Sequence, residues 1–313
     1  MSPHWGDVAL CGESGAMANK DRIDAFGAVS LVLFSALLGF NQVVIKVVNE
    51  GLQPVFFAGM RSAGAVVCVG LWIVLRGRKI QALPGTAPAG ILLGLVFSAE
   101  FLLLFVALDL TTVTRTAVIF YSMPVWMALG AHLMIPGGRL TRAKTAGLSV
   151  AFVGVAWAIL ARPSAGEASL MGDLCALGAA ICWAGIGLVA RGTRLRDERP
   201  EMQLFWQISI SAVVLTGMSP LFGPLIRELA PIHLWGFGFQ VVIMVSAGFI
   251  FWLWLLSVYP PASVAAYSFL GPIFGVGFGA LLLGEAVGPE ILGALALVVA
   301  GLWLMNRPAS GDP

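Results

Sequence analysis

The sequence contains little charge. Only 11% of its 313 residues are Asp, Glu, Lys or Arg, whereas about 25% is usual for a soluble protein. Apolar residues make up 59% of the chain and the mean hydropathy is +0.93. So few charges cannot cover the surface of a water-soluble fold of this length. A soluble globular protein is therefore excluded, and we predict that the chain folds in a lipid bilayer.

Other residue types are too scarce or too scattered for several classes of site. Four cysteines without a C-x-x-C pair exclude a disulfide framework and a metal clip. A formal net charge of +2 gives no concentrated basic face for nucleic acid. Histidines occur only at His4, His132 and His233, and no H-E-x-x-H, G-x-S-x-G or Walker pattern is present. We therefore expect no metal, no cofactor, no nucleic-acid partner and no enzymatic activity.

Long apolar runs are what the sequence does have, and about 20 such residues form one helical crossing of a membrane. The runs show none of the alternation typical of membrane strands. We predict an all-α integral membrane protein with ten transmembrane helices. The predicted spans are 25–48, 54–75, 88–109, 111–135, 143–161, 170–190, 202–222, 234–257, 262–283 and 287–305.

Basic residues indicate the orientation, because Lys and Arg collect in short cytoplasmic loops. The first 24 residues contain no apolar core of signal-peptide length, so we expect a cytoplasmic tail at 1–24 and a retained first span. With the N-terminus inside, few basic residues face outward: Arg115, Arg162 and Arg227. The cytoplasmic set is Lys20, Arg22, Arg76, Arg78, Lys79, Arg139, Arg142, Lys144, Arg191, Arg194, Arg196, Arg199 and Arg307. Both termini are predicted to be cytoplasmic, in a multi-pass protein of the inner (plasma) membrane.

The two halves of the chain resemble each other. An offset of 148 residues aligns Pro124 with Pro272, and an offset of 145 aligns Gly27 with Gly172. We predict one five-helix repeat at 25–162 and a second at 170–306. Five crossings are an odd number, so equivalent helices must run in opposite directions. The loop after span four is basic and its counterpart after span nine is acidic, which favours two inverted five-helix repeats.

These features resemble the EamA-type branch of the drug/metabolite transporter superfamily over nearly the whole chain. The matching positions are Gly39, Asn41, Lys46, Pro54, Arg61, the segment 107–124, Trp183, the segment 256–272 and the Gly284-Glu285 turn. The sequence departs from the family pattern at Pro136-Gly137-Gly138, where the family has Gly-Glu, and at Gln207, which stands where the first repeat has Arg61.

The resemblance implies an inner-membrane exporter of amino acids or related small metabolites that works by alternating access, with helices one, three, four, six, eight and nine around a central cavity. Among the members of this family, those that export aromatic and other neutral amino acids are the most similar to this sequence in aromatic content. A carrier of drugs, nucleotides or sugar derivatives is the alternative within the superfamily. A small-molecule substrate is the expected partner, and a monomer is compatible with the sequence.

Charged and amide side chains inside the spans are the candidate substrate contacts. A charge at the centre of the bilayer costs roughly 2.5 to 3.5 kcal/mol, so Glu100 needs a partner or water. Glu100 is a candidate for binding a substrate ammonium or a coupling proton, and Arg61 for binding a carboxylate. An ion pair between Glu100 and Arg61 or Lys46 is the structural alternative. Lys46 is expected to extend to the membrane interface.

Other polar residues lie deep enough in the spans to contact a substrate, and helix packing is the alternative role for each. This set is Asn41, Tyr121, Trp183, Gln207 and Tyr267. Pro124 and Pro272 each remove a backbone hydrogen bond in mid-span, so we predict either gating hinges or static kinks at these positions.

Three other classes of protein stay open at this stage. A channel fits the composition, but the inverted repeat and the lack of charged rings favour a carrier. An integral-membrane enzyme would need a catalytic set that the sequence does not show. A structural or signalling bundle predicts a closed interior.

Overall fold

The computed structural model describes residues 23–134, 141–161, 169–259 and 266–306. Helices and short turns make up these ranges, with one isolated antiparallel bridge between Leu52 and Ile226. In chain order the helices are α1 (Ala25–Gly51), α2 (Pro54–Leu75), α3 (Ala87–Leu110), α4 (Val113–Phe120), α5 (Met123–Met134), α6 (Arg142–Leu160), α7 (Leu170–Gly192), α8 (Pro200–Met218), α9 (Pro231–Phe239), α10 (Gly248–Val258), α11 (Leu270–Leu283) and α12 (Pro289–Asn306).

Helix starts follow from local side-chain chemistry. The Asp24 carboxylate accepts a hydrogen bond from the Gly27 amide at 2.8 Å, and the Thr112 hydroxyl accepts one from the Arg115 amide at 3.2 Å. Each satisfies a backbone donor that the first turn of a helix leaves free. Pro54 stands at the first position of α2, where no intrahelical N–H bond is needed.

The described residues contain ten apolar crossings, which confirms the predicted fold class. Eight helical segments are long enough to span a bilayer, and the shorter α11 and α12 complete the set. The fourth crossing differs from the continuous span predicted over 111–135, because α4 and α5 are separated at Tyr121 and Ser122. The eighth crossing joins α9 to α10 through a π-helix at Gln240–Ala247.

Contacts between connecting segments define two ends of the bundle. At what we name the Thr111 end, the Arg227 side chain donates to the main-chain oxygen of Asn49 at 2.9 Å. At the opposite Tyr259 end, the Arg199 side chain donates to the main-chain oxygen of Lys79, also at 2.9 Å. Successive crossings alternate between these ends. Because α1 finishes at the Thr111 end and α7 starts there, the two repeats are inverted.

Helix pairing between the repeats follows an approximate two-fold relation. The second helix of each repeat packs against the other, α2 on α8, and so do the last helices, α6 on α12. The first helix of each repeat contacts the third of the other, α7 with α3 and α1 with α9. Small residues allow this close packing, since a Cβ at Gly147 would lie 2.6 Å from the Gly301 carbonyl oxygen.

Some sequence predictions fall outside the described residues. They are residues 1–22 of the predicted tail, Pro136, Gly137, Gly138, Arg139, Arg162 and Arg307.

Candidate functional site

Arg61 and Glu100 lie in the interior of the bundle, on α2 and α3, with 3% and 1% of their surface exposed. The Arg61 guanidinium lies 3.9 Å from the ring centre of Phe101 and 5.1 Å from that of Phe105. The Arg61 guanidinium and the Glu100 carboxylate are close enough to interact electrostatically, and the Cys182 thiol of α7 lies near Glu100. The two charges therefore lie near the junction of α2, α3 and α7.

These two charges are not joined directly. Among the described residues, no ion pair within 4.0 Å connects Arg61 to Glu100. The Arg61 Nε and the Glu100 Oε2 are both buried without a hydrogen-bond partner. Burial without such a partner is costly for a charged group. The structural alternative of a tight Arg61–Glu100 or Lys46–Glu100 ion pair is therefore absent from this conformation.

Amide side chains form a second polar group where α1 meets the π-helix. Gln240 Nε2 donates to Asn41 Oδ1 at 2.5 Å and reaches the Asn41 main-chain oxygen at 3.5 Å. Because a main-chain oxygen can only accept a hydrogen bond, the atom of Gln240 that faces Asn41 is Nε2, and Oε1 points away from Asn41. Gln240 Oε1 and Gln42 Oε1 are buried without a partner. The Gln42 oxygen lies beside Gly275 of α11, 3.8 Å from where a Cβ there would stand.

Tyr121 lies at the break between α4 and α5 and is buried. Its ring packs on Gly271 of α11, where a Cβ would come within 2.5 Å of the Tyr121 Cε1. Pro124 and Pro272 are the second residue of α5 and the third of α11, so both lie in the first turn that follows an irregular segment. Tyr267 is half-buried and packs with Tyr259 at the Tyr259 end.

Neither Trp183 nor Gln207 is fully buried. The Trp183 side chain is 39% exposed and lies on the same side of α7 as the buried Ala176 and Ala180. Gln207 is half-buried and donates to the main-chain oxygen of Gln203 at 3.1 Å, one turn earlier in α8. Both residues stay candidates for contact with a substrate.

Arg115 was counted among the few outward-facing basic residues, and the structure places its side chain inside the bundle, near the Thr111 end. Its side chain is 2% exposed and pairs with Asp173 of α7, which is fully buried, at 2.6 Å between Nη2 and Oδ2. Arg115 also donates to the main-chain oxygens of Ala158 and Ala161. Asp173 accepts a further hydrogen bond from the Thr111 hydroxyl at 3.1 Å. In the sequence, Asp173 is an acidic residue within an apolar run, and such a residue indicates a buried partner of opposite charge.

Lys46 reaches the end of α3. Its Nζ donates to the main-chain oxygens of Leu108 at 3.2 Å and Thr111 at 2.8 Å. Lys46 therefore caps the C-terminus of α3, where unpaired carbonyls favour a positive charge.

The Gly284-Glu285 turn contributes a contact between the repeats. The Glu285 Oε1 accepts a hydrogen bond from the Val113 amide at 2.6 Å, and Oε2 accepts one from the Thr114 amide at 2.7 Å. A carboxylate at this position satisfies the first turn of α4 and interacts favourably with its helix dipole. The second repeat thereby holds the start of the fourth crossing of the first repeat.

Comparison with known proteins agrees with this architecture. The pattern of the EamA-like transporter family matches residues 25–160 and again residues 170–307. This chain belongs to the EamA-like transporter family. It is therefore a multi-pass membrane protein whose family transports small molecules.

Similar proteins of this family match along nearly their whole length. A protein of Salmonella typhimurium named "Probable amino-acid metabolite efflux pump" is 29% identical, covering 90% of this chain and 94% of that protein. An Escherichia coli protein of the same name is 25% identical, covering 92% and 95%. "Uncharacterized transporter YoaV" of Bacillus subtilis is 22% identical, covering 89% and 94%.

A solved crystal structure shows the same fold. It superposes with a TM-score of 0.63 at 18% sequence identity, covering 89% of this chain and 95% of the other. At this identity the likeness concerns the fold alone.

Proposed function

We propose that this EamA-family protein exports amino acids, chiefly those with aromatic or other neutral side chains, by alternating access. The observation that carries the proposal is the pair Arg61 and Glu100, two buried and opposite charges that do not bond each other. An α-amino acid carries one carboxylate and one ammonium. Bound between these residues, it would give each buried charge the partner it lacks.

The amide group on α1 and the π-helix supports the same substrate class. Gln42 and Gln240 each keep a buried oxygen that can accept a hydrogen bond. An ammonium has three donors, so a carboxylate and an amide oxygen can share it. The relatives named as amino-acid metabolite efflux pumps agree with this interpretation.

Space for an apolar side chain is proposed near the α4–α5 break. Met123, Trp126 and Phe278 are partly buried and pack on the central apolar cluster. Tyr121 lies at the same break, against Gly271 of α11. Aromatic surfaces bury large area in such a site, which favours substrates with aromatic or branched side chains.

Glu100 is also the proposed group for coupling transport to protons. A carboxylate that binds an ammonium in one state and a proton in the other couples their movements in opposite directions. Facilitated diffusion, in which Glu100 only binds the substrate, is the alternative mechanism.

Pro124 and Pro272 are proposed as hinges. They lie at equivalent positions of the two repeats, and each follows an irregular segment of its crossing. The helical segment on each side of such a point can reorient with little loss of backbone hydrogen bonds. Because the crossings are antiparallel, the two hinges would act at opposite ends.

We further propose that the Tyr259 end faces the cytoplasm. Described basic residues concentrate there, and short cytoplasmic loops collect such residues. They are Arg76, Arg78, Lys79, Arg142, Lys144, Arg191, Arg194, Arg196 and Arg199. Both chain termini then lie in the cytoplasm.

Counterflow in proteoliposomes tests the proposal. The purified protein is reconstituted with a panel of amino acids, nucleotides and sugar derivatives, with and without a pH gradient. We expect exchange of neutral amino acids. Loss of one charge-assisted hydrogen bond in Arg61→Gln or Glu100→Gln should reduce exchange by about 10- to 100-fold. Trp235→Leu is the control and should exchange normally, because its side chain is 78% exposed and lies on the side of α9 opposite the buried His233.

Each outcome of this assay separates the alternatives. Exchange of nucleotides or sugar derivatives alone would identify the other carrier class. A response to the pH gradient that disappears in Glu100→Gln supports proton coupling, whereas gradient-independent exchange supports facilitated diffusion. No exchange of any solute would contradict the proposal.

A further inference from the structure

Arg61 has aromatic rings beside it in the place where a buried cation usually has a counter-ion. Its guanidinium carbon lies 3.9 Å from the ring centre of Phe101 and 5.1 Å from that of Phe105. These two phenylalanines are four residues apart, so they stand on one side of α3. A cation over the face of an aromatic ring is attracted to it, and the attraction is largest where water is excluded.

Neighbouring rings fix the orientation of Phe101. Phe97, one turn earlier in α3, lies 4.5 Å from Phe101 between ring centres, and Phe105 lies 5.9 Å from it. Phe57 of α2 is fully buried and packs on Phe105 at 5.0 Å. Rings packed this closely cannot turn without displacing one another. The face of Phe101 therefore stays against the guanidinium of Arg61.

A ring and a carboxylate stabilise an arginine in different ways. A carboxylate accepts hydrogen bonds from the N–H groups, which point outward in the plane of the guanidinium. A ring contacts the face of that plane and accepts none of these bonds. None of the hydrogen bonds between described residues uses the guanidinium of Arg61, and its Nε is buried without a partner. Its in-plane donors are consequently available to a ligand.

Arg115 provides the comparison within the same bundle. Its side chain is buried as deeply as that of Arg61. Its Nε and Nη2 donate to the Asp173 carboxylate at 3.1 and 2.6 Å, and its Nη1 donates to the main-chain oxygen of Ala161 at 3.0 Å. Every nitrogen of that guanidinium is bonded within the protein. Of these two buried arginines, only Arg61 can bind an anion without losing a hydrogen bond.

We infer that Phe101 is a positioning residue that holds Arg61 ready for the carboxylate of the substrate. The ring replaces a counter-ion in the empty protein and leaves the in-plane donors to the carboxylate, which can accept two parallel hydrogen bonds from them. The inference rests on the proposed function for the identity of the ligand. An amine without a carboxylate gains nothing from Arg61, so Phe101 also helps to select amino acids over such amines.

A double-variant cycle tests the ring contact without any substrate. Thermal unfolding in detergent is measured for the unmodified protein, Phe101→Leu, Arg61→Met and the double variant. The fall in melting temperature caused by Phe101→Leu should be at least about twice as large beside Arg61 as in the Arg61→Met background. Phe101→Tyr keeps the aromatic face and should retain most of the melting temperature.

Counterflow with two related solutes tests what the positioned guanidinium binds. Phenylalanine carries a carboxylate, and phenylethylamine is the same molecule without it. The KM for phenylalanine is measured, with phenylethylamine added as a competing solute. Phe101→Leu should raise this KM by about tenfold while kcat changes by less than about twofold. The inhibition constant of phenylethylamine should stay within about twofold, and Phe101→Tyr should keep the KM within about threefold of that of the unmodified protein.

Phe57→Leu is the matched control, because it removes a fully buried ring that packs on Phe105. It should lower the melting temperature equally beside Arg61 and in the Arg61→Met background, with no selective loss for phenylalanine. An effect of Phe101→Leu on melting that is the same in both backgrounds would overturn the inference. An equal weakening of phenylalanine and phenylethylamine would also overturn it.

The two assays distinguish failure of the inference from failure of the proposed function. Exchange of phenylalanine with a KM that Phe101→Leu does not change would reject the inference and keep the function. A coupled unfolding cycle in a protein that exchanges no amino acid would reject the function and keep Phe101 as the residue that positions Arg61.

Discussion

Buried polar side chains in this protein fall into a satisfied and an unsatisfied group. Arg115 has acceptors for its guanidinium from Asp173 and two main-chain oxygens, and Lys46 caps the end of α3. Arg61 and Glu100 each keep a buried atom without a partner. Satisfied charges stabilise one arrangement of helices, whereas unsatisfied charges gain from a ligand. We therefore assign the first group to structure and propose the second for transport.

The buried ion pair gives a prediction about stability. Arg115→Met or Asp173→Leu leaves one uncompensated buried charge and should lower the free energy of unfolding by roughly 3 to 5 kcal/mol. The double variant removes both charges and should be more stable than either single variant. Tryptophan fluorescence, recorded during unfolding in detergent, measures the free energy of unfolding of each variant. If the stability loss of the double variant equals the sum of the two single losses, Arg115 and Asp173 do not stabilise each other.

At the scale of elements, departures from regular helix occur within the fourth and eighth crossings. The α4–α5 break places Tyr121 against α11, and the π-helix places Gln240 against α1. The glycines of α11 let it approach α4 and α1 closely, since a Cβ at Gly275 would lie 2.5 Å from the Ala117 Cβ. The first half of the fourth crossing is consequently fully buried, while most of α5 is only half-buried.

This packing predicts unequal effects of two neighbouring glycines. Gly275→Ala should force α4 and α11 apart and destabilise the protein by about 1 to 3 kcal/mol. Gly277→Ala is the control, because no atom outside its own helix lies within 4 Å of the new methyl group. Thermal unfolding of both variants in the same detergent checks the difference. A loss of stability in Gly277→Ala as large as in Gly275→Ala would contradict close packing as the cause.

At the scale of the molecule, the two inverted repeats meet at interfaces between equivalent helices. The α2–α8 interface includes a hydrogen bond between the Ser62 and Ser211 hydroxyls at 3.0 Å, and the α6–α12 interface contains the Gly147–Gly301 contact. The hydrogen bonds from Thr111 to Asp173 and from Tyr259 to Asp24 also join the repeats, at opposite ends of the bundle where crossings six and one begin.

The inverted topology predicts which loops face each side of the membrane. Gln81, in the α2–α3 loop, is exposed at the Tyr259 end, and Glu228, in the α8–α9 loop, is exposed at the Thr111 end. In a chain without other cysteines, Glu228→Cys should react with an impermeant maleimide in intact cells. Gln81→Cys should react only after permeabilisation. Reaction of both in intact cells would refute the inverted arrangement, and the reverse pattern would refute the proposed orientation.

Much of the candidate site could be predicted from the sequence because charge inside an apolar run is conspicuous. Glu100, Arg61 and Asn41 were identified in this way, and the structure places all three in the bundle. Gln240 was not identified, since an amide early in the eighth crossing resembles many interfacial residues. Trp183 was included because of its depth along α7, and the structure adds that it lies on the side of α7 that carries the buried Ala176 and Ala180.

The sequence by itself determined the ten crossings and the inversion of the repeats, because the length of apolar runs and the number of crossings per repeat are local properties of the chain. The tertiary structure alone decided which buried charges are paired. Arg115 meets Asp173 across 58 residues, and Glu285 meets the start of α4 across 172. Such partners depend on how helices rotate and pack against each other, and no local pattern in the chain records that geometry.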